Sequence, residues 1–273
     1  MIDLPTSAAA RLGVTEALAS RDSAPRENAG EAEEEGLLSL VSAHVASMPR
    51  KYRQLFDPTA IRMHAAIAQR RGTRKAYAEM WRVFPPGGVA ICVVGEDGPG
   101  LLARIGAALV AHKLDVVAAQ VYTRRRLPDG ELEAVDFFWV RHLEGVIPDE
   151  AEIAAFAETL DGLVTGRAGL IELRRIAPVP PGTRTQTRRG FESHAVDGTM
   201  VLTVQGTDRP GLLFLISTAL FIEGVRITHS DVSTFDGQIL DRFHLTEMDG
   251  SPLRRSRLLG IQNATLAAID ERT

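Results

Sequence analysis

A repeat separated by 111 residues constrains the fold of this 273-residue chain more than any other feature of its sequence. The residues DGPGLL at 97–102 return as DRPGLL at 208–213. Eight of the thirteen positions from Asp97 to Leu109 are identical to those from Asp208 to Leu220. Internal similarity of this kind indicates that one structural unit is used twice.

Both copies predict the same order of elements. A β-branched run, 89–94 in the first copy and 200–205 in the second, predicts a strand. A tight loop leads into a helix with one apolar stripe at helical spacing, and two strands joined by an Asp-Gly turn follow. The stripe consists of Leu101, Leu102, Ile105 and Leu109 in one copy and of Leu212, Leu213, Ile216 and Leu220 in the other. The further predicted strands are 115–124, 133–141, 225–235 and 239–247, and the predicted closing helices are 149–164 and 253–270.

The edges of the predicted sheets are less well defined. Residues 168–177 predict a strand that ends where prolines begin, and residues 184–193 predict a fourth strand that closes the first unit's sheet. After the second unit's last helix no chain is left for a strand of its own. We therefore expect a neighbouring unit or a second subunit to cover that edge.

The chain before the repeat predicts a short helical segment. Apolar residues at helical spacing predict a helix over 37–47, and Asp57 followed by Pro58 predicts the start of a second helix that runs to Arg71. A third short helix is predicted over 73–82, before a Pro- and Gly-rich boundary. The predicted domains are a disordered or weakly helical extension (1–36), a helical segment (37–84), a first unit with an extra helix and an irregular insert (85–196) and a second unit (197–273).

Composition excludes several classes of partner. A net charge of −4 and a pI near 6.0 disfavour a nucleic-acid partner. No stretch approaches the ~20 apolar residues of a membrane span and no secretory signal is visible, so we expect a cytoplasmic protein. The lone Cys92 excludes an intramolecular disulfide and predicts a buried, inert thiol. His44 and His64 lie on separate predicted helices without ligand-like spacing, so we expect no metal site, and no cofactor is predicted.

The twice-used Asp-x-Pro-Gly-Leu-Leu corner between a strand and a helix resembles the ACT domain family. The resemblance covers residues 89 to 250 and implies an α+β chain with two ferredoxin-like βαββαβ units, of which the second lacks its own last strand. It also implies that the units sense amino acids or other small molecules. Pairing of the two units within the chain, or in a homodimer, is expected.

A longer resemblance reaches back to about residue 37. The run from Met48 to Tyr52, followed by a helix with His64, is similar to the stretch before the ACT pair of PII uridylyltransferases. Those enzymes carry a nucleotidyltransferase site with an Asp-x-Asp metal motif and a His-Asp hydrolase domain. No Asp-x-Asp is present here, and no histidine is followed by Asp. Because two-metal phosphoryl transfer needs closely placed carboxylates, we expect no catalytic residues and a likeness to the regulatory tail alone.

The corner offers a complement for each charge of a zwitterion. A helix N-terminus carries unpaired N–H groups and partial positive charge, which suit a carboxylate. Gly98, Gly100 and Gly211 allow the backbone to approach a ligand closely. Asp97 and Asp208 are candidate acceptors for an ammonium group. An amino acid is therefore the predicted ligand class.

The family resemblance implies that the ligand lies between two units, against the corner of one and the second strand of the other. The matching strand positions are 116–119 and 227–230, and the second set is more polar. If only one site binds, we expect it to pair the first unit's corner with the second unit's strand. The candidate ligand-binding residues are Asp97, Gly98, Gly100, Leu101, Asp208, Arg209, Gly211, Leu212, Thr228, His229 and Ser230.

Plainer roles for these residues stay open. Each corner aspartate is also an ordinary helix N-cap, Arg209 is also a solvated turn residue, and His229 is also a satisfied strand residue. Three functions follow: an amino-acid sensor, with glutamine favoured by the resemblance to uridylyltransferases; an interaction scaffold for a PII-type protein or a separately encoded catalytic chain; and an accessory part of a uridylyltransferase.

Overall fold

The computed structural model describes residues 27–126, 130–166, 188–193 and 199–270. The predicted strand 168–177, most of the N-terminal extension and the turn residue Asp129 lie outside the described residues. The strands are β1 (Ala76–Phe84), β2 (Gly88–Glu96), β3 (Leu114–Arg125), β4 (Leu132–His142), β5 (Arg188–Ser193), β6 (Met200–Thr207), β7 (Val225–Phe235) and β8 (Gln238–Glu247). The helices are α1 (Glu27–Ser47), α2 (Arg50–Leu55), α3 (Pro58–Arg71), α4 (Leu101–Ala111), α5 (Glu150–Val164), α6 (Leu212–Ile222) and α7 (Leu258–Asp270), with a 3₁₀ turn at Arg255–Arg257.

The repeat forms two βαββ units, as predicted. The first unit consists of β2, α4, β3 and β4, and the second consists of β6, α6, β7 and β8. Each of these strands lies within two residues of its predicted bounds, because β-branched runs between turn residues define strand ends well. Helix α5 is confirmed, whereas α1 begins ten residues before its predicted start at Leu37.

The two units share one sheet of eight strands. Its order is β1-β2-β4-β3-β7-β8-β6-β5, and each pair of neighbours is antiparallel. The units meet where β3 pairs with β7, with Val121 opposite Ser230. We call this β3–β7 junction the seam. Pairing of the units within the chain therefore makes the sheet continuous.

The edge strands correct two predictions. Residues 76–84 form β1 rather than part of a helix over 73–82. A bulge between Met80 and Arg82 breaks the alternation of β1 across the sheet, so its apolar residues do not show a regular period of two in the sequence. The strand predicted at 184–193 is β5, but it pairs with β6 of the second unit and not with the first unit. Each unit therefore takes its edge strand from the chain before it, and the second unit's edge is covered by a strand from the segment that was predicted to belong to the first unit.

Helices cover the two faces of the sheet unequally. Helices α4 to α7 pack on one face along both units and enclose a large apolar core. Helices α1 to α3 pack on the other face, against an aromatic group of the first unit that includes Trp81, Phe137 and Trp139. Cys92 is fully buried there, and burial raises the pKa of its thiol, as expected for an inert cysteine. None of the described helices combines the length and apolar character required to cross a membrane.

A buried polar chain ties the helical segment to the first unit. Glu133, which is 2% exposed, accepts hydrogen bonds from Arg71 and Arg124 at 2.6 and 2.5 Å. Arg124 also donates to His44 Nδ1 at 2.7 Å, and His44 Nε2 lies 3.1 Å from the hydroxyl of Tyr52. Since a guanidinium only donates, His44 accepts at Nδ1 and donates from Nε2. Burial and the charge of Arg124 lower the pKa of His44 to about 3, so this ring is neutral.

Candidate functional site

The corner of the first unit is the turn that joins β2 to α4. It ends at Gly100, whose φ of 74° is in the left-handed region that favours glycine. A Cβ atom at this position would lie 2.9 Å from the side chains of both Arg104 and Phe221. Phe221 belongs to α6, so the second unit's helix closes over the first unit's corner. Gly211 repeats this conformation in the second corner, with a φ of 78°.

The corner aspartates do not cap their helices. Neither α4 nor α6 has a side-chain hydrogen bond at its N-cap, which is Gly100 in one and Gly211 in the other. The alternative role of Asp97 and Asp208 as ordinary N-caps is therefore wrong. Their carboxylates point instead toward the space between the units.

The first cleft lies between the corner 97–101 and the start of β7, at 225–227. Here Arg226 Nη2 donates to Asp97 Oδ2 at 2.5 Å, and the hydroxyl of Thr123 donates to the same oxygen at 3.0 Å. The Asp97 side chain is 8% exposed and that of Arg226 is 21% exposed. The cleft thus contains a partly buried ion pair that joins the two units.

The second cleft is the counterpart between the corner 208–212 and the start of β3, at 114–116. Asp115 follows Asp97 by 18 residues, and Arg226 follows Asp208 by the same distance, so Asp115 occupies the place that Arg226 has in the first cleft. Burial and the charge of Asp208 raise the pKa of Asp115 to about 6. The second cleft therefore has two facing carboxylates where the first has an ion pair.

Each cleft also contains a buried aspartate at the equivalent position, Asp136 in the first and Asp241 in the second. Asp241 is 2% exposed and accepts a hydrogen bond from the backbone N–H of Ser233 at 3.3 Å. Burial, with a smaller effect of Asp208, raises its pKa to about 8. Arg209 does not neutralise the carboxylates of the second cleft, because its Nη2 donates to the carbonyl oxygen of Ile269 in α7 at 2.5 Å.

Both clefts are closed in this structure. Their free volumes are about 30 Å³ in the first and about 20 Å³ in the second. Each is room for roughly one water molecule. An amino acid would have to separate the two sides of either cleft before it could bind.

The predicted site residues divide into two groups. All eight predicted residues of the corners line their clefts: Asp97, Gly98, Gly100, Leu101, Asp208, Arg209, Gly211 and Leu212. Thr228, His229 and Ser230 do not line either cleft, since β7 lines the first cleft with residues 225–227. Thr228 donates to the carbonyl oxygen of His244 at 3.3 Å, and Ser230 is fully buried. The binding role of all eleven residues stays a prediction.

Sequence reasoning missed the residues that face the corners across the clefts. Arg226 and Asp115 each lie one position before the strand segments expected to contact a ligand, and Phe221 lies in α6, outside those segments. The equal 18-residue spacing from each corner aspartate to the first positions of the next strand is a signal that identifies Arg226 and Asp115. Phe221 has no such signal, because its position depends on how α6 packs against α4.

Comparison with known proteins links the chain to one group of enzymes. No protein-family model matches it. It is 32% identical over 188 residues to the bifunctional uridylyltransferase/uridylyl-removing enzyme of Rhodospirillum rubrum, a match that covers 66% of this chain and 20% of that protein. The protein of the same name from Streptomyces coelicolor is 32% identical over 176 residues, covering 62% of this chain and 20% of that protein.

A longer match reaches further along the chain. The bifunctional uridylyltransferase/uridylyl-removing enzyme of Caulobacter vibrioides is 24% identical over 236 residues, which is 82% of this chain and 24% of that protein. The chain thus spans about a fifth of the length of the curated relatives it matches. Its homologues are bifunctional uridylyltransferase/uridylyl-removing enzymes, and it corresponds to one segment of them.

Proposed function

We propose that this chain is a regulatory module that binds an amino acid in the first cleft, between two ACT units. The observation that carries the proposal is the Asp97–Arg226 pair, which places opposite charges from the two units 2.5 Å apart beside a helix N-terminus. The resemblance of the repeat to ACT domains supports the same location. The homologous enzymes support a regulatory setting, since the chain matches only one segment of them.

The charges of the first cleft match a zwitterion. In the bound state the ammonium group replaces Arg226 as the partner of Asp97. The ligand's carboxylate then pairs with the freed guanidinium of Arg226 and with N–H groups at the start of α4. Arg binds carboxylates well because its planar fork of donors matches their geometry. The second cleft lacks the cationic half of this arrangement, so we place the amino acid in the first cleft only.

Binding in the first cleft would also move the units relative to each other. Asp97 belongs to the first unit, whereas Arg226 and Phe221 belong to the second. A ligand that separates them must displace β7 or α6 from the corner, because the closed cleft has only about 30 Å³ of free volume. A ligand can shift such an equilibrium only by its preference for the open form. The change in unit packing is the signal that a partner would detect.

Titration calorimetry against the twenty common amino acids tests the proposal. We expect saturable binding with one site per chain, with glutamine favoured by the resemblance to uridylyltransferases. Asp97→Asn and Arg226→Gln each remove one charge complement and should weaken binding at least about tenfold, which is the typical scale of a lost charged hydrogen bond. Circular dichroism establishes that each variant is folded.

The second cleft supplies the matched control. Asp208→Asn changes the equivalent carboxylate and should leave the affinity within about twofold, because the proposed ligand does not contact it. Absence of binding by all twenty amino acids to the folded protein would remove the proposal. Equal losses in Asp97→Asn and Asp208→Asn would contradict its location.

An alternative function is that of an interaction scaffold, or accessory part, for a uridylyltransferase system. It is favoured by the homology to enzymes named for uridylyl transfer and removal. The expected partner is a PII-type protein or a catalytic chain. A pull-down with mass measurement distinguishes the two functions: a stable complex that no amino acid alters would favour the scaffold. Incubation with UTP, Mg²⁺ and PII should give no uridylyl transfer by this chain alone.

A further inference from the structure

Two histidines and an aspartate meet on the face of the second unit that is opposite to α6. His229 and Asp231 are two residues apart on β7 and therefore point to the same side of the sheet. His244 lies directly across from His229 on β8. One donor atom from each of the three side chains lies within 4.8 Å of the other two. Among the described residues, this is the only group of three with metal-ligand chemistry at such distances.

The tautomer of His229 leaves its other nitrogen directed at this group. Its Nδ1 lies 2.5 Å from the carbonyl oxygen of Val121, across the seam. A carbonyl oxygen only accepts, so Nδ1 carries the proton and Nε2 of the neutral ring has a lone pair. Histidines that bind metals usually donate their second nitrogen to a carbonyl or carboxylate in this way. The ring also stacks on Tyr122, with centroids 5.1 Å apart, which fixes its orientation.

The distance from His229 to Asp231 fits a shared ion. Nε2 of His229 lies 3.4 Å from Oδ2 of Asp231. Two ligand atoms of a tetrahedral Zn²⁺ ion with bonds of about 2.1 Å lie about 3.4 Å apart. Both side chains are about one-fifth exposed, so an ion can reach them from solvent.

The ammonium group of Lys51, in α2, occupies the carboxylate of Asp231 and would compete with a metal ion for it. This ammonium group lies 2.6 Å from both carboxylate oxygens of Asp231. The Lys51 side chain is 47% exposed and can turn into water at small cost, since exposed ion pairs contribute little. A divalent ion would carry more charge to the same carboxylate.

We propose that His229, Asp231 and His244 form a binding site for a first-row transition-metal ion such as Zn²⁺, which displaces Lys51 from Asp231. Two imidazoles and one carboxylate suit Zn²⁺ and its neighbours rather than Mg²⁺ or Ca²⁺, which prefer oxygen ligands. The site is separate from both clefts. The site contacts the seam through Val121, and without an ion Lys51 connects it to the helical segment.

Co²⁺ and Zn²⁺ binding to the full, untagged chain tests the site. Co²⁺ should give visible absorption bands at one equivalent, and Zn²⁺ should remove them by competition. His229→Gln, Asp231→Asn and His244→Gln should each weaken binding more than about tenfold, because even the loss of a supporting residue has that effect. His112→Gln is the matched control, since His112 lies on the first unit near Thr159, and it should leave binding unchanged.

Lys51→Met distinguishes a metal site from a cluster of side chains that has only a structural role, because only a metal site should bind Co²⁺ more tightly in this variant. Removal of the competing ammonium group should tighten Co²⁺ binding several-fold, whereas mutation of the exposed Lys113 to Met should not. Absence of the visible bands in the folded wild-type chain would overturn the proposal. Bands that persist unchanged in His229→Gln and His244→Gln would do so as well, because the ion would then be held elsewhere.

Discussion

The two clefts have the same backbone and opposite electrostatics. Each is built from an Asp-x-Pro-Gly corner, a left-handed glycine and the first residues of the other unit's central strand. In the first cleft Arg226 pairs with Asp97, whereas in the second cleft Asp115 faces Asp208. One residue on each strand therefore decides whether a corner is neutralised or left with excess negative charge. Repetition of a fold does not imply repetition of a site.

The units also differ on the face of the sheet opposite to helices α4 to α7, where, among the described residues, only the first unit shares a buried ion-pair network with the helical segment. The start of β4 carries Glu133, which binds two buried arginines and fixes the helical segment. The equivalent position at the start of β8 is Gln238, which is exposed. Substitutions at Glu133 and in the two clefts should therefore change the free energy of unfolding by different amounts.

The largest effect is expected at Glu133. Glu133→Ala leaves the guanidinium groups of Arg71 and Arg124 buried without their carboxylate, so the free energy of unfolding should fall by about 3–5 kcal/mol. Urea unfolding measures this change. Gln238→Ala, at the matching position of the second unit, should change stability by less than about 0.5 kcal/mol. Similar losses in both variants would show that the two units depend equally on this position.

An intermediate effect is expected at the ion pair of the first cleft. Arg226→Gln removes the charged partner of the nearly buried Asp97, which keeps the hydrogen bond from the hydroxyl of Thr123, and should lower the free energy of unfolding by about 2 kcal/mol. Arg242→Gln, on an exposed part of β8, is the control and should have almost no effect. Equal stability of the two variants would mean that the ion pair does not hold the first cleft closed.

The smallest effect, and the one with opposite sign, is expected in the second cleft. Asp115→Asn removes a carboxylate that faces Asp208 and should stabilise the chain by about 1 kcal/mol at pH 7. The folded pKa of Asp115 is about 6, above its usual value of 3.8, so the wild type loses stability relative to the variant as pH rises from about 4 to 6. The extra stability of Asp115→Asn over the wild type should be complete above about pH 6 and absent below about pH 4.

Urea unfolding at several pH values measures this dependence. Asp236→Asn, on an exposed turn of the second unit, is a suitable control and should not change stability with pH. A gain for Asp115→Asn that is the same at pH 4 and pH 7 would contradict the proposed repulsion between the two carboxylates.

Local chemistry explains how far the sequence alone predicted the fold. The strands and helices of the repeat were predictable because apolar periodicity and turn residues act over a few positions. The edge strands were not, because the partner of an edge strand depends on which sheet edges the rest of the chain leaves unpaired. β1 occupies the first unit's edge beside β2, and β5 pairs with β6 of the second unit.

The same division applies to the sites. The corners were predictable from the repeated Asp, Pro and Gly residues, whereas the clefts required the pairing of β3 with β7. His229 and His244 are fifteen residues apart in the chain, a spacing that predicts no metal site, yet the β7–β8 register places them side by side. The sequence determined the two units and the chemistry of their turns, because those depend on neighbouring residues. The tertiary structure decided which charges meet across the clefts, because that depends on strand pairing between distant segments.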